Sequence, residues 1–147
     1  MAIFFNAEDV EISFVKGRRE LKKWLTLSLK NEGYVLGDVN FIFCSDKYLH
    51  QINLKFLNHD TYTDIITFDY NSGETVNADI FISTERVAEN AKKYNVTIEE
   101  ELKRVMIHGI LHLCGFGDKK TNEKKIMTER ENYYLKNFNK LLSKSAK

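Results

Sequence analysis

The residues with the clearest chemical potential lie in one segment, residues 108–118, which reads HGILHLCGFGD. His108 and His112 are four residues apart in an apolar run, so on an α-helix they share one face, roughly 6 Å apart. Gly115 is expected to end that helix, because glycine readily adopts the left-handed backbone found just past a helix C-terminus. The chain can then double back and bring the carboxylate of Asp118 to the imidazoles. Two histidines and one carboxylate, with a position left for water, are the ligand set of a catalytic zinc ion.

A simpler interpretation stays open, because a histidine on an apolar helix face is often a hydrogen-bonded residue of the core. The glycine break and the acid that follows it favour metal binding. The spacing also matches the His-x-x-x-His helix of the zincin metallopeptidases. Zincins carry glutamate, their general base, directly after the first histidine, whereas this chain has Gly109 there. The pattern therefore predicts a metal site and argues against peptidase activity.

Length and composition predict a single domain over residues 1–147. A chain of 147 residues with 43% hydrophobic and 29% charged residues is typical of a globular protein with a proper core. The formal net charge of +1 predicts no bulk attraction to a polyanion, so nucleic-acid binding would need a local patch. No signal peptide, apolar run of ~18 residues or disulfide framework is apparent. These features predict a cytoplasmic protein with no membrane partner.

Hydrophobic periodicity predicts strands and helices in mixed order along the chain. Strands are expected at residues 3–5, 10–14, 39–44, 63–70 and 77–83, of which the last two could form a hairpin. Helices are expected at residues 17–31, 46–56, 84–94, 97–113 and from 121 onward. The resulting prediction is an α+β fold with a small mixed sheet, about five helices, and the histidines on a helix of the C-terminal half.

The histidine segment resembles the signature of the YbeY-type endoribonucleases, a bacterial family of rRNA maturation factors. That family carries His-Gly-x-Leu-His-Leu-x-Gly-Tyr-Asp-His, and a glycine after the first histidine is normal in it. Residues 54–68 resemble a second family motif in their later half, and residues 78–82 resemble the family's Gly-Asp-Ile-x-Ile. The resemblance implies one zinc ion, a single-stranded RNA substrate and action on the 3′ end of small-subunit rRNA. It also implies a role in ribosome quality control, with the small ribosomal subunit as a possible partner.

The chain departs from the family pattern at two positions. The family's third zinc ligand is a histidine, and Asp118 occupies that position here. Carboxylate oxygen binds zinc at ~2.0–2.2 Å, so His108, His112 and Asp118 are expected to bind the metal and to act in catalysis through it. A family arginine implicated in RNA cleavage falls at Leu57, so a phosphate contact would be missing there. Arg86 or a nearby lysine could supply that contact instead.

Further candidates surround the predicted site. Ligating histidines usually donate their other ring nitrogen to a nearby acceptor, and Asp64 and Asp79 are candidates for such contacts. Ordinary turn formation at strand ends is an equal alternative for both aspartates. Cys114 is expected to be buried, and His50 and His59 are expected not to bind metal.

The C-terminal region is basic, since from residue 119 onward it holds eight Lys and one Arg against three Glu. Such a patch attracts a phosphate backbone, although a solvated helix face with a frayed end would have the same composition. The lysines beside the metal site are the better candidates for RNA contact: Lys119, Lys120, Lys124 and Lys125.

The residues and the resemblance together predict a zinc-dependent endoribonuclease that acts on single-stranded RNA in rRNA maturation. Two alternatives stay open at this point. The first is a metal-dependent hydrolase of another class, such as a peptidase. The second is a ribosome-associated zinc protein without catalytic activity.

Overall fold

The computed structural model describes the backbone of residues 1–13 and 15–145 and, apart from Phe14, side chains as far as Ser143. The strands in this part of the chain are β1 (Ala2–Ala7), β2 (Val35–Cys44), β3 (Ile65–Asp69) and β4 (Thr75–Ser83). The helices are α1 (Arg18–Asn31), α2 (Asp46–Leu57), α3 (Thr84–Lys93), α4 (Ile98–Leu113), α5 (Thr121–Lys136) and α6 (Phe138–Ser145). None of these described helices is both long enough and apolar enough to cross a membrane.

The four strands form one mixed sheet in the order β1-β2-β4-β3. β1 and β4 each run parallel to β2, whereas β3 pairs antiparallel with β4. β3 and β4 are the predicted hairpin, with Ile66 opposite Phe81 and Phe68 opposite Asp79. The prediction of an α+β fold with a small mixed sheet is confirmed, although the helices number six in the described residues.

Two predicted elements differ from the structure. Residues 10–13 form a bend and a turn rather than a strand, and Phe14 lies outside the described residues. Arg18 secures this loop, because its guanidinium donates hydrogen bonds to the carbonyl oxygens of Ile12 (2.8 Å) and Val15 (3.2 Å). The C-terminal helix is also interrupted, since α5 ends at Lys136 and α6 begins at Phe138. The basic tail continues to Lys147, which is outside the described residues.

The main core lies on one face of the sheet, where α1, α4 and α5 pack. Alternate residues of β2 and β4 are buried there: Val39, Phe41, Phe43, Ala78, Ile80 and Ile82. Trp24 of α1 is fully buried in this core, and its indole nitrogen donates to the carbonyl oxygen of Tyr134 in α5 at 3.0 Å. The ring of Phe138 in α6 contacts Trp24 edge-on, with centroids 5.1 Å apart.

The opposite face carries a smaller cluster under α2, formed by Cys44, Leu49, Ile52 and Ile66. α2 and α4 therefore lie on opposite faces of the sheet. α4 approaches its own face closely at Gly109, where a Cβ atom would lie 3.0 Å from Ile65 Cδ1 and 3.4 Å from Ile80 Cδ1. A side chain at this position would point into the sheet, so a glutamate there could not face a metal held by His108 and His112.

Candidate metal centre

α4 places both histidines on one face, where each is half-buried. Its N-terminus is capped, because the Thr97 hydroxyl accepts a hydrogen bond from the Glu100 backbone amide at 3.1 Å. The helix ends at Leu113, and Gly115 takes a left-handed conformation with φ of 96°. The Phe116 amide then donates back to the Leu111 carbonyl oxygen at 3.1 Å, which turns the chain towards Asp118.

His108, His112 and Asp118 converge on one point. Asp118 Oδ2 lies 3.3 Å from His108 Nε2 and 3.2 Å from His112 Nε2, and the candidate ligand atoms of the three residues lie within 4.8 Å of one another. Ligands that surround a tetrahedral zinc at ~2.0–2.1 Å are separated by about 3.4 Å. The side chains of His108, His112 and Asp118 are 21%, 27% and 39% exposed, so solvent can reach the remaining coordination position.

The other ring nitrogen of each histidine is already committed. His108 Nδ1 lies 2.6 Å from Glu131 Oε2, and His112 Nδ1 lies 2.9 Å from the carbonyl oxygen of Phe116. A carbonyl oxygen and a carboxylate accept hydrogen bonds, so each Nδ1 carries the proton and donates. Each Nε2 is then left with its lone pair directed at Asp118. This tautomer is the one that a metal ion requires, so the residues fit a zinc ion.

Glu131 is held firmly by a second partner. The side chain is 6% exposed, and its Oε1 accepts a hydrogen bond from Arg104 Nη1 at 2.9 Å. Arg104 in turn donates from Nη2 to Asn132 Oδ1 at 2.8 Å. The chain from Arg104 through Glu131 to His108 joins α4 to α5 and fixes the orientation of the imidazole.

The electrostatics of the site also favour a cation. Burial disfavours the charged form of His108, but the hydrogen bond and charge of Glu131, with Asp118 and Asp64, outweigh burial and raise its pKa. Burial raises the pKa of Asp64, although the charge of His108 opposes this. Carboxyl groups that gather around one imidazole would be compensated more fully by a divalent ion than by a single proton.

Two cavities meet at the centre. The larger, with a volume of about 920 Å³, is lined by residues that include Tyr94, Glu101, Arg104 and Glu131. The smaller, of about 530 Å³, includes Asn53, Leu57, His59, Thr61 and Lys119. Asp64, His108 and Asp118 line both. An extended ligand could therefore cross the three-residue centre with one part in each cavity.

The two predicted aspartates are placed differently. Asp64 lies in the wall shared by the two cavities, and its carbonyl oxygen accepts from the Ser83 amide at 3.0 Å. Asp79 alternates with the buried Ala78 and Ile80, so it lies on the face opposite α4. It accepts hydrogen bonds there from Asn40 at 3.4 Å and Tyr70 at 3.3 Å. The structure thus brings Asp64, but not Asp79, near the histidines. Neither aspartate is the predicted acceptor for a ligating histidine, because Glu131 and the Phe116 carbonyl oxygen occupy that role.

The candidate RNA contacts are also divided. Lys119 lines the smaller cavity, and Lys120, Lys124 and Lys125 are exposed at the start of α5. Arg86 is already engaged, because its guanidinium donates to both carboxylate oxygens of Asp46 at 2.9 and 3.3 Å. The structure therefore places Lys119 nearest to the centre and leaves Arg86 in a separate ion pair.

The remaining predictions concern residues outside the ligand set. Cys114 is buried, and burial raises the pKa of its thiol to about 12. His50 hydrogen-bonds to Asp60 at 2.9 Å and stacks on Tyr62, with ring centroids 4.1 Å apart. Within the described residues, the possible metal cluster of three comprises His108, His112 and Asp118.

Glu131 contacts the candidate centre, but the sequence analysis did not identify it. It is separated from His108 by 23 positions and belongs to a different helix. A signal was nevertheless present, because Met127, Glu131 and Tyr134 form the buried stripe of α5. A lone carboxylate in such a stripe needs a partner, since burying a charge without one is costly.

The chain is similar to several known proteins. The family model described as endoribonuclease YbeY matches residues 2–139. A protein of Christiangramia forsetii named endoribonuclease YbeY is 51% identical over 129 residues, which cover 87% of each chain. One of the same name from Parabacteroides distasonis is 44% identical over 135 residues, covering 92% of this chain and 94% of the relative. A Thermotoga maritima protein solved in solution superposes with a TM-score of 0.65 at 31% identity, covering 92% of this chain and 88% of that one. The chain therefore belongs to the endoribonuclease YbeY family.

Proposed function

We propose that this protein is a zinc-dependent endoribonuclease that cleaves single-stranded RNA during rRNA maturation. The observation that carries the proposal is the convergence of His108 Nε2, His112 Nε2 and Asp118 Oδ2 where two cavities meet. Family membership supports RNA as the substrate. The proposal includes cleavage at the 3′ end of small-subunit rRNA and a role in ribosome quality control. It also includes an association with the small ribosomal subunit in the cytoplasm.

His108, His112 and Asp118 would hold the zinc, whose chemistry is to polarise a phosphoryl oxygen and to acidify water. Glu131 and the Phe116 carbonyl keep the two imidazoles in the tautomer that binds metal. Asp64 lies in both cavities, and burial raises the pKa of its carboxyl group. A carboxyl group of raised pKa suits the uptake and release of a proton beside the reacting phosphate.

The shape of the site suits a strand better than a small molecule. The two cavities extend from the same three residues in different directions, so a single-stranded RNA could place nucleotides on both sides of the scissile phosphate. Single strands are flexible enough to follow such a path, whereas an A-form duplex is rigid and wide. We therefore expect unpaired RNA to be cleaved in preference to duplex RNA.

The test measures zinc content and RNA cleavage in wild-type protein and in His112→Ala. We expect the variant to lose most of its zinc and its cleavage of a single-stranded RNA, because one of three ligands is gone. His50→Ala is the matched control, since His50 bonds to Asp60 away from the ligands. Full zinc occupancy in His112→Ala, or cleavage by metal-free protein, would contradict the proposal.

The same preparations test the two alternative functions. Casein digestion that follows zinc content, without RNA cleavage, would point to a peptidase, although Gly109 faces the sheet and leaves no base of the zincin type. Leu57 favours the second alternative, a non-catalytic ribosome-associated protein, because it supplies no charge to the smaller cavity. Two results together would identify a non-catalytic protein. Co-sedimentation with ribosomes would persist in His112→Ala, and the wild-type protein would not cleave RNA.

A further inference from the structure

We propose that His59 contacts a phosphate of the bound RNA strand in the smaller of the two cavities. This proposal rests on the proposed function, since it requires an RNA strand at the metal centre. It assigns to His59 a phosphate contact on the side of the centre where Leu57 offers only apolar surface.

The backbone of His59 is held in place by the end of α2. The helix terminates at Asn58, which adopts a left-handed conformation with φ of 53°, and the His59 amide donates to the Asn53 carbonyl oxygen at 3.1 Å. The Asn53 side chain is 3% exposed and donates to the Thr61 carbonyl oxygen at 2.9 Å and to its hydroxyl at 3.2 Å. The backbone of His59 is therefore held by its own bond to Asn53 and by the bonds of Asn53 to Thr61, two residues further along the chain.

The His59 side chain is exposed and uncommitted. Within the described part of the chain it forms no hydrogen bond or ion pair, whereas the other three histidines each have a carboxylate partner. The two nearby arginines are also engaged, Arg86 with Asp46 and Arg104 with Glu131. Among the described residues lining the smaller cavity, His59 and Lys119 are the cation-forming side chains that no other residue holds.

A phosphate entering this cavity needs a cation besides the metal. Carboxyl groups of Asp64, Asp69 and Asp118 line the same wall, and they would repel a phosphate backbone. A protonated imidazole donates a charge-assisted hydrogen bond to a phosphate oxygen and offsets that repulsion. His59 can do so without breaking any contact in the protein.

Substitutions at position 59 can test the charge of this residue directly, because lysine keeps a cationic group there and glutamine does not. The charged and titratable groups that face the cavity with His59 are Asp64, Asp69, His108, His112, Asp118 and Lys119. His59→Lys and His59→Gln leave all of these neighbours unchanged.

The experiment measures binding of a single-stranded 2′-O-methyl RNA oligonucleotide to zinc-loaded protein over a range of salt concentrations at one fixed pH. His59→Gln should bind about tenfold more weakly than wild type, as expected for one charged hydrogen bond. Its slope of log affinity against log salt should be flatter by about 0.7, the contribution of one phosphate. His59→Lys should keep the affinity and the salt slope of wild type, because it keeps a cationic group at this position.

His50→Gln is the matched control, because it removes the other histidine that is not a predicted ligand, and it should leave the salt slope unchanged. Equal affinity and slope for wild type and His59→Gln would overturn the proposal. So would an equal loss of affinity and of salt slope in His59→Gln and His59→Lys. Either result with zinc-dependent cleavage intact refutes the role of His59 alone, whereas wild-type protein that never cleaves RNA refutes the proposed function.

Discussion

Replacement of Glu131 by glutamine tests whether the buried carboxylate tunes the metal centre. Glutamine has nearly the same shape, and its carbonyl oxygen can still accept the hydrogen bond that His108 Nδ1 donates at 2.6 Å in the wild type. The substitution removes the negative charge that raises the pKa of His108. It also leaves Arg104 without its carboxylate partner.

The expected magnitude follows from these contacts. Loss of an acceptor behind a ligating histidine costs about 10- to 100-fold in metal affinity. Glu131→Gln should lie near the tenfold end, about 1.4 kcal/mol, because the acceptor for His108 is kept while the charge and the ion pair with Arg104 are lost. Glu131→Ala removes both the acceptor and the charge, so its loss of zinc affinity should approach 100-fold.

The loss should also depend on pH in a defined direction. The raised pKa of His108 in the wild type means that protons compete with zinc up to a higher pH than they would without Glu131. Glu131→Gln lowers that pKa and so relieves the competition. The ratio of wild-type to variant affinity is therefore largest at pH 8 and shrinks as the pH falls through the pKa of His108.

Zinc affinity measured against a competing chelator at pH 8 and pH 6 gives these quantities. Glu129→Gln is the matched control, since Glu129 lies two residues earlier on α5 and is exposed. The reasoning fails if Glu131→Gln binds zinc as tightly as wild type at pH 8, or if Glu129→Gln loses as much affinity.

Three further outcomes are expected. Asp118→His should keep the fold and the zinc, because imidazole nitrogen also ligates zinc. The measurement is the zinc content of the purified variants. If Asp118→His loses the metal while Asp118→Asn retains it, Asp118 is a turn residue and not a ligand. Gly37→Ala should destabilise the protein by about 2 kcal/mol, measured by denaturant unfolding, because the new Cβ would lie 2.8 Å from the Val76 carbonyl oxygen; unchanged stability would contradict this. Four exposed lysines near the centre, changed together to Gln, should flatten the salt slope of RNA binding by up to about 3 without loss of zinc: Lys119, Lys120, Lys124 and Lys125. The control changes four exposed lysines elsewhere, which should not flatten the slope: Lys16, Lys23, Lys30 and Lys47.

The parts of the fold that local chemistry determines were predictable from the sequence. The caps at Ser45 and Thr97 are in place, because each side chain needs only an amide three residues ahead. The helical spacing of His108 and His112 likewise sufficed to put them on one face of α4. Convergence with Asp118 also followed, since Gly115 supplies the predicted reversal.

Other features depend on contacts between distant parts of the chain. The break before α6 has no glycine or proline to mark it. The Asn137 side chain donates to the Tyr133 carbonyl oxygen at 2.7 Å and competes with the helix backbone, while Phe138 turns towards Trp24. Glu131 could be assigned to His108 only after α5 was seen to pack on α4. The placement of Asp79, by contrast, was available from its alternation with Ala78 and Ile80 along β4.

Trp24 has a practical consequence, because it is the single tryptophan of the chain and lies where α1 contacts α5 and α6. Its fluorescence should be blue-shifted while the indole is shielded from water, and should move to longer wavelength if α5 separates from α1. Since α5 also carries Glu131, the emission spectrum is an optical report on the helix that supports His108. Emission recorded during removal of zinc by a chelator would therefore follow the docking of α5 without any added label.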